Sequence, residues 1–408
     1  MGKQDLNTKK KSHWDLPDDW EIKRLKEIAE IDKDSLSAKT PAGYLFDYIS
    51  LSDIDSDKLE MTTTKQVFEN APSRARRIVS KGDVLLSTVR PGLQGFVHIT
   101  KEVKDLIAST GFSVITPFEE DGEYIYQYLF STSISKQFYS LLVGSNYPAI
   151  NSSDVRNLKI AYPPKIERKK IAAILHTWDN TINKTQQLIT QLEQRNKGLM
   201  QELLTGKRRL KGFNGEWRKR NLSECLIPTV REVKKPNAAF LALGIRSHGK
   251  GVFHKVEFEP EDIEMETLYE VRENDLIVNI TFAWEQAIAI AGQEDNGGLV
   301  SHRFPTYTFV DGVSCVDFFR YLVIQKSFKY LLDLISPGGA GRNRVMSKKD
   351  FLKLEVQIPD IKEQEAIGKI LKASVEEQKY FEKKLSLFQT QKKGLLQKLL
   401  TGELRVTT

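Results

Sequence analysis

The octapeptide "LLTGKRRL" (Leu203–Leu210) returns near the other end of the chain as "LLTGELRV" (Leu399–Val406). Each follows a near-copy, "KGLMQE" and "KGLLQK". The agreement runs far upstream. At an offset of 196, residues 150–210 lie on 346–406 without a gap: Asp154 on Asp350, Leu158 on Leu354, Pro163 on Pro359, Glu167 on Glu363 and Leu175 on Leu371. A weaker echo opens each half, where "DDWEIKRLKEI" (Asp18–Ile28) resembles "GEWRKRNLSEC" (Gly215–Cys225). The chain therefore reads as two variable blocks, each followed by a shared block. A unit this long is no solenoid repeat, whose period is about 20–50 residues.

The shared block has a consistent physical design. "INSSDV" and "MSKKDF" place Asn151 and Ser347 three residues before Asp154 and Asp350, a capping-box helix start. "LKIAYPP" and "LEVQIPD" then read as short strands stopped by proline. A long helix follows, with Ile171, Leu175, Trp178, Ile182, Thr185, Ile189, Leu192, Asn196, Leu199 and Leu203 spaced four and three apart. The second copy aligns Ile367, Leu371, Ser374, Gln378, Phe381, Leu385, Phe388, Lys392, Leu395 and Leu399. This is a coiled-coil seam, and Gly206 and Gly402 stand where a helix C-cap is expected. About 38 residues at 1.5 Å each give a helix of roughly 57 Å. Its exposed seam needs a partner, and the matching stripe is the other copy. Asn196 and Lys392 share one seam slot, so each either fixes register or lies near a frayed end.

The variable blocks share a skeleton and differ in side chains. Asp83 and Asp275 precede β-rich runs in "GDVLLSTVRPGLQGFVHI" and "NDLIVNITFAWEQAIAIA". "IASTGFSVITP" and "LVSHRFPTYTF" alternate like strands. Amphipathic helices follow, then the loops "VGSNYPAIN" and "SPGGAGRNRVMS". Two like scaffolds with unlike loops suggest two sites doing related work on different targets.

The order of blocks, together with "YPPKIERKKIAAIL", "IPDIKEQEAIGKIL" and "KGLMQELLTGKRRL", resembles the specificity subunit of type I restriction-modification enzymes, from about Leu16 to Val406. The resemblance implies an α+β chain: two similar α/β target-recognition domains separated by two long helices packed as an antiparallel coiled coil, with pseudo-twofold symmetry. The expected boundaries are 14–149 and 213–345 for the recognition domains, 150–212 and 346–408 for the helical spacers. It implies a non-catalytic subunit that reads a split, asymmetric target in double-stranded DNA, one half-site per domain. The implied partners are two methyltransferase subunits and restriction subunits. No cofactor belongs to this chain; S-adenosylmethionine would sit in the methyltransferase, ATP and Mg in the restriction subunit. The competing reading is a coiled-coil DNA-binding scaffold or regulator without such partners.

Composition agrees with this class. The 408 residues carry a net charge of +7 and a pI near 9.0, which permits a nucleic-acid partner. There is no long uncharged apolar run, so a membrane location is not expected. Cys225 and Cys315 are far apart, which points to a reducing, cytoplasmic setting and no disulfide framework. The six histidines show no metal spacing.

Candidate DNA contacts are the basic residues of the predicted loops. In the first domain these are Arg74, Arg76, Arg77 and Arg90, with Asn146 and Tyr147 beside them; in the second, Arg246, His248, Lys250, Arg342 and Arg344. Arginine reads guanine bidentately, while lysine mostly holds phosphate. Trp284 reads as either a loop anchor or core. The runs "IERKK" and "GKRRLKG" read as helix-end charge or partner-facing surface. Two catalytic readings fail on their own residues. "YPPK" (Tyr162–Lys165) lacks the amide or acid that an adenine methyltransferase needs before its prolines. Pro359-Asp360 with Glu377-Gln378-Lys379 mimics a nuclease motif, yet Glu377 falls inside the long helix.

Overall fold

The computed structural model describes residues 16–55, 60–141, 148–255, 260, 263–336 and 344–406. They form two compact units. One runs to Ile189 and takes in the chain from Phe381 onward; the other spans Thr190–Tyr380. Each unit holds one α/β domain and a portion of both long helices, so the units cut across the blocks of the sequence.

In the first unit a sheet of Ala29–Ile31, Phe112–Pro117, Val84–Ser87 and Phe96–His98 (in that order) packs on a second sheet of Thr64–Val67, Leu45–Ile49, Leu106–Ser109 and Ala75–Val79. Val84–Ser87 is buried throughout. Val84 and Leu86 face the helices Gly122–Leu129 and Thr132–Leu141, while Leu85 joins Ile49, Val79, Leu106 and Val114 between the sheets. A strand covered on both faces needs a continuous apolar run, and "VLLS" supplies one. The second unit repeats this with Leu226–Thr229, Thr306–Phe309, Leu276–Val278 and Ile288–Ile290 in one sheet. Leu276 and Val278 face helices there, and Ile277 the other layer. The equivalent turns ahead of these strands put Gly82 (φ +91°) and Asn274 (φ +69°) in the left-handed region. There Asp83 and Asp275 staple the turn by accepting from the N–H groups of Ser80 (2.7 Å) and Arg272 (2.8 Å).

"IASTGFSVITP" and "LVSHRFPTYTF" are not single strands. The first breaks at Thr110–Gly111 as the chain passes from one sheet to the other, and the second is a loop between Leu299–Val300 and Thr306–Phe309. Thr110 donates its N–H to the Arg74 carbonyl (2.8 Å) at the break, a bond that ties two loops instead of extending a ladder.

The helix starts form as the sequence requires. The Asn151 side chain accepts from Asp154 N (3.0 Å), and Asp154 returns the bond to Asn151 N (2.9 Å). Ser347 accepts from Asp350 N (3.3 Å). Lys159–Tyr162 and Glu355–Ile358 are strands, each paired antiparallel with the opening strand of its unit, Glu21–Arg24 and Arg218–Asn221. The long helices are Lys165–Leu203 and Ile361–Thr401. Their 39 and 41 residues span about 58 and 62 Å. Within the first unit Trp178 meets Phe388 edge-on (5.9 Å) and Asp179 pairs with Lys392. Within the second Arg195 pairs with Glu377 (2.8 Å), and Asn196 donates to the Ser374 carbonyl and to Gln378 Oε1 (both 3.0 Å). One helix ascends in number as the other descends, so the packing is antiparallel in each unit. Asn196 is 3% exposed and both amide bonds are made, so the shared polar slot fixes register and is not a frayed end.

The repeated octapeptide is a clasp. Gly206 and Gly402 have φ near +70° and sit against Trp217 and Pro17, where a Cβ would fall 3.3 and 2.5 Å from ring atoms. Three residues on, Arg405 makes paired bonds to the buried Glu167 (2.7 and 2.9 Å) and to Asp19 (3.0 and 2.7 Å). Arg209 grips the buried Glu363 in the same way (2.7 Å twice). Trp20 Nε1 completes the first clasp by donating to Glu167 (3.0 Å). Arg405→Ala leaves Glu167 buried with one partner, and a lowered melting temperature is expected in calorimetry. Arg405→Lys recovers only part, because an ammonium cannot span two carboxylates with paired donors. The hydrogen bond from Arg405 holds Asp19 below its ordinary 3.8. This contribution is therefore full above about pH 4 and fades as pH falls through the lowered value.

Candidate nucleic-acid interface

In each domain three loops are drawn together by backbone bonds at equivalent positions. Thr88 N–H donates to Gly111 O (2.9 Å) and Ile150 N–H to Thr88 O (3.0 Å); Ile280 N–H donates to Arg303 O (3.0 Å) and Met346 N–H to Ile280 O (2.9 Å). The strand registers agree, since Val84 faces Ile115 and Leu276 faces Tyr307. The clusters are thus the same construction with different side chains.

In the first domain the cluster carries Arg74 and Arg90, both exposed. Arg90 sits in the left-handed region (φ 49°), and its N–H is held by Pro148 O (2.9 Å). Arg76 lies over the Phe68 ring (5.1 Å) and donates to its neighbour's carbonyl, that of Ala75 (2.7 Å). Arg77 is half-buried and paired with Asp32 (3.2 Å). Those two arginines hold the domain's own structure. Asn146 and Tyr147 lie outside the described residues, as does Arg342.

In the second domain Arg246, His248 and Lys250 are exposed on the turn between Leu243–Ile245 and Val252–His254. That turn is pinned by His248 N–H to Glu285 O (2.7 Å), Gly249 N–H to Gln286 O (2.9 Å) and Ser247 Oγ to Glu285 (2.6 Å). Arg344 pairs with Asp333 (2.8 Å) and stacks over half-buried Trp284 (5.3 Å), so Trp284 anchors the loops. His302 and Arg303 are exposed on the same cluster; the strand-like alternation of "LVSHRFPTYTF" hides them among ladder positions in the sequence. The basic pair beside Pro305 was the available signal, since proline interrupts a ladder.

The basic runs and the nuclease-like motif have other duties. Arg168 is 5% exposed and bonded to Asp121 (2.9 and 3.1 Å). Asp360 caps the second long helix by accepting from Glu363 N (3.0 Å), and Glu377 pairs with Arg195. Among the described residues no three His, Cys, Asp or Glu side chains group as metal ligands, and no helix is long and apolar enough to cross a membrane. Cys225 is buried, which pushes its thiol up to about 11.

The family profile described as "Type I restriction modification DNA specificity domain" matches residues 17–194. The putative type I restriction enzyme MjaX specificity subunit of Methanocaldococcus jannaschii is 26% identical over 98% of this chain and 97% of its own length. The MjaIX specificity subunit of the same organism is 31% identical over 42% of this chain and 41% of its own. Among solved structures, the HsdS subunit from Thermoanaerobacter tengcongensis superposes with a TM-score of 0.53 at 20% identity, covering 96% of this chain and 99% of that one. The type I S subunit from M. genitalium gives 0.59 at 14% identity, covering 95% and 96%. At these identities the structural likeness speaks for the fold alone.

Proposed function

We propose that the chain is a type I restriction-modification specificity subunit, as its similarity to such proteins supports, and that its two loop clusters are two separate DNA-reading surfaces, each assigned one half of a split target. The observation that carries this is the pair of equivalent backbone bonds that gather loops bearing unlike side chains in both domains. In the first domain the contacts assigned to DNA are Arg74 and Arg90. In the second they are Arg246, Lys250 and Arg303, with His248 and His302 beside them. Arg76, Arg77 and Arg344 hold the loops in place. The chain recognises DNA and recruits methyltransferase and restriction subunits; transfer from S-adenosylmethionine and ATP- and Mg-dependent cleavage belong to those partners. The setting is the cytoplasm, where such DNA is found.

The test is reconstitution. The isolated chain transfers no methyl group, and addition of its methyltransferase subunit yields adenine methylation at a two-part motif. Sequencing that detects methylation, on DNA from cells with and without the gene, identifies the motif. Methyl transfer by the isolated chain overturns the assignment, as does a motif unchanged by loss of the gene. A scaffold without such partners gives DNA binding but no gene-dependent methylation.

A further inference from the structure

The loops that follow the buried central strands share one side chain. With Asp83 on Asp275, residues 87–98 lie on 279–290, and Gln94 on Gln286 is the sole identity among them. The loops are equal in length, since Val84 pairs with His98 and Leu276 with Ile290. Each glutamine ends a single 3₁₀ turn, Pro91–Leu93 or Ala283–Glu285, in the left-handed region (φ 56° and 63°). Each closes that turn by donating its N–H to the turn's first carbonyl, Pro91 O (3.0 Å) or Ala283 O (2.7 Å). Glycine takes this backbone freely and asparagine more readily than most; glutamine has no such preference. A glutamine that recurs here, in loops otherwise unlike, points to its side chain.

In the second domain that side chain has a defined task. Gln286 is 5% exposed. Its Nε2 donates to Val323 O (2.9 Å) and to Gln325 O (3.0 Å), which uses both of the amide's hydrogens. Val323 closes the helix Val316–Leu322 and Gln325 caps the helix Lys326–Leu334. One amide group therefore ties the loop to the link between two helices. The backbone of the same loop holds the turn that carries Arg246, His248 and Lys250. Gly249 N–H donates to Gln286 O (2.9 Å) and His248 N–H to Glu285 O (2.7 Å). Gly249 also lies against the link, where a Cβ would fall 2.9 Å from Ile324 Cγ2. Gln286 thus joins the helix link, through its side chain, to the basic turn, through its main chain.

We propose that Gln286 is a positioning residue for reading the second half-site: its amide sets where the Arg246–Lys250 turn stands against the DNA. The inference rests on the DNA-reading assignment of that turn. Gln286 is buried and acts through the turn. Arginine reads a guanine edge only with both donors aligned. A displaced turn therefore loses discrimination between bases while keeping its charge near the phosphates.

The experiment uses the full chain in complex with its methyltransferase subunit. Binding is measured to the split target and to duplexes altered in each half, at two salt concentrations. Gln286→Gly frees the backbone and deletes the amide. Gln286→Met keeps the length and apolar packing and removes both donors without adding charge. In both variants discrimination in the second half is expected to fall about fivefold or more, with first-half discrimination and salt slope unchanged. Backbone hydrogen exchange across residues 246–250, read by mass spectrometry, is expected to quicken in both. Where one variant does not melt cooperatively, the discrimination of the folded one decides. If the glutamine only shaped the turn's backbone, Gln286→Gly would discriminate as the parent does, and that result overturns the proposal. A lowered melting temperature with discrimination and exchange intact overturns it too, as does equal loss in both halves. A parent complex that binds without discriminating overturns the DNA reading and this inference together. A discriminating parent with discriminating variants overturns this inference alone.

Discussion

Ile189→Asp combined with Leu192→Asp is expected to abolish the folded state. Both side chains lie in the seam of the first long helix, 3% and 5% exposed. An unpaired buried carboxylate costs several kcal/mol, and two approach the whole margin of a domain, about 5–15 kcal/mol. Circular dichroism should show lost helix, and size-exclusion chromatography no complex with the methyltransferase subunit. Gln187→Asp with Gln191→Asp, on the exposed face of the same helix, controls for added charge and should melt close to the parent. A folded, partner-competent seam variant would mean the helices do not hold each other.

The second large effect concerns specificity. Arg90→Ala is expected to relax recognition in one half of the target only, and Arg246→Ala or Arg303→Ala in the other. Losing a bidentate base contact costs about 1–3 kcal/mol, or about 5- to 150-fold at that base. Losing a phosphate contact instead weakens all sequences alike and lowers the salt slope by about one. Binding to the split target, and to versions altered in each half at two salt concentrations, separates these outcomes. An arginine change that affected both halves equally with an unchanged salt slope would refute the one-domain, one-half-site assignment.

What the sequence made legible follows the range of the forces involved. The helical seam, the Asn151–Asp154 box and the Gly206 and Gly402 caps are local, and their spacing alone carries them. The clasp is half legible: the octapeptide stands out, but Glu167 and Arg405 lie 238 residues apart, and by pattern the run around Arg209 reads as helix-end charge or partner-facing surface. The ion pair of Arg77 is not legible in the sequence, because its partner Asp32 is distant along the chain and takes an uncommon left-handed conformation (φ 57°). His302 and Arg303 were hidden by alternation that looked like one strand, when the chain was passing between two sheets. Side chains whose duty is set by a remote neighbour are those that pattern cannot assign.

The bonds that gather each loop cluster run from backbone to backbone: Thr88 to Gly111 and Ile150, Ile280 to Arg303 and Met346. Beyond one added side-chain bond, Thr88 Oγ1 donating to Gly111 O (2.8 Å), these links need no particular side chain, so the architecture of the reading surface is decoupled from its vocabulary. Gly111 in one domain and Arg303 in the other occupy the same bonded position, a change from no side chain to the largest cation at no loss of the bond. Such a surface tolerates wholesale rewriting by point substitution. Randomised side chains at 89, 90 and 110, or at 281, 302 and 303, should yield mostly folded proteins, among which altered targets can be selected without repairing the scaffold; Gly111 is kept, because a Cβ there would fall 2.8 Å from Leu51.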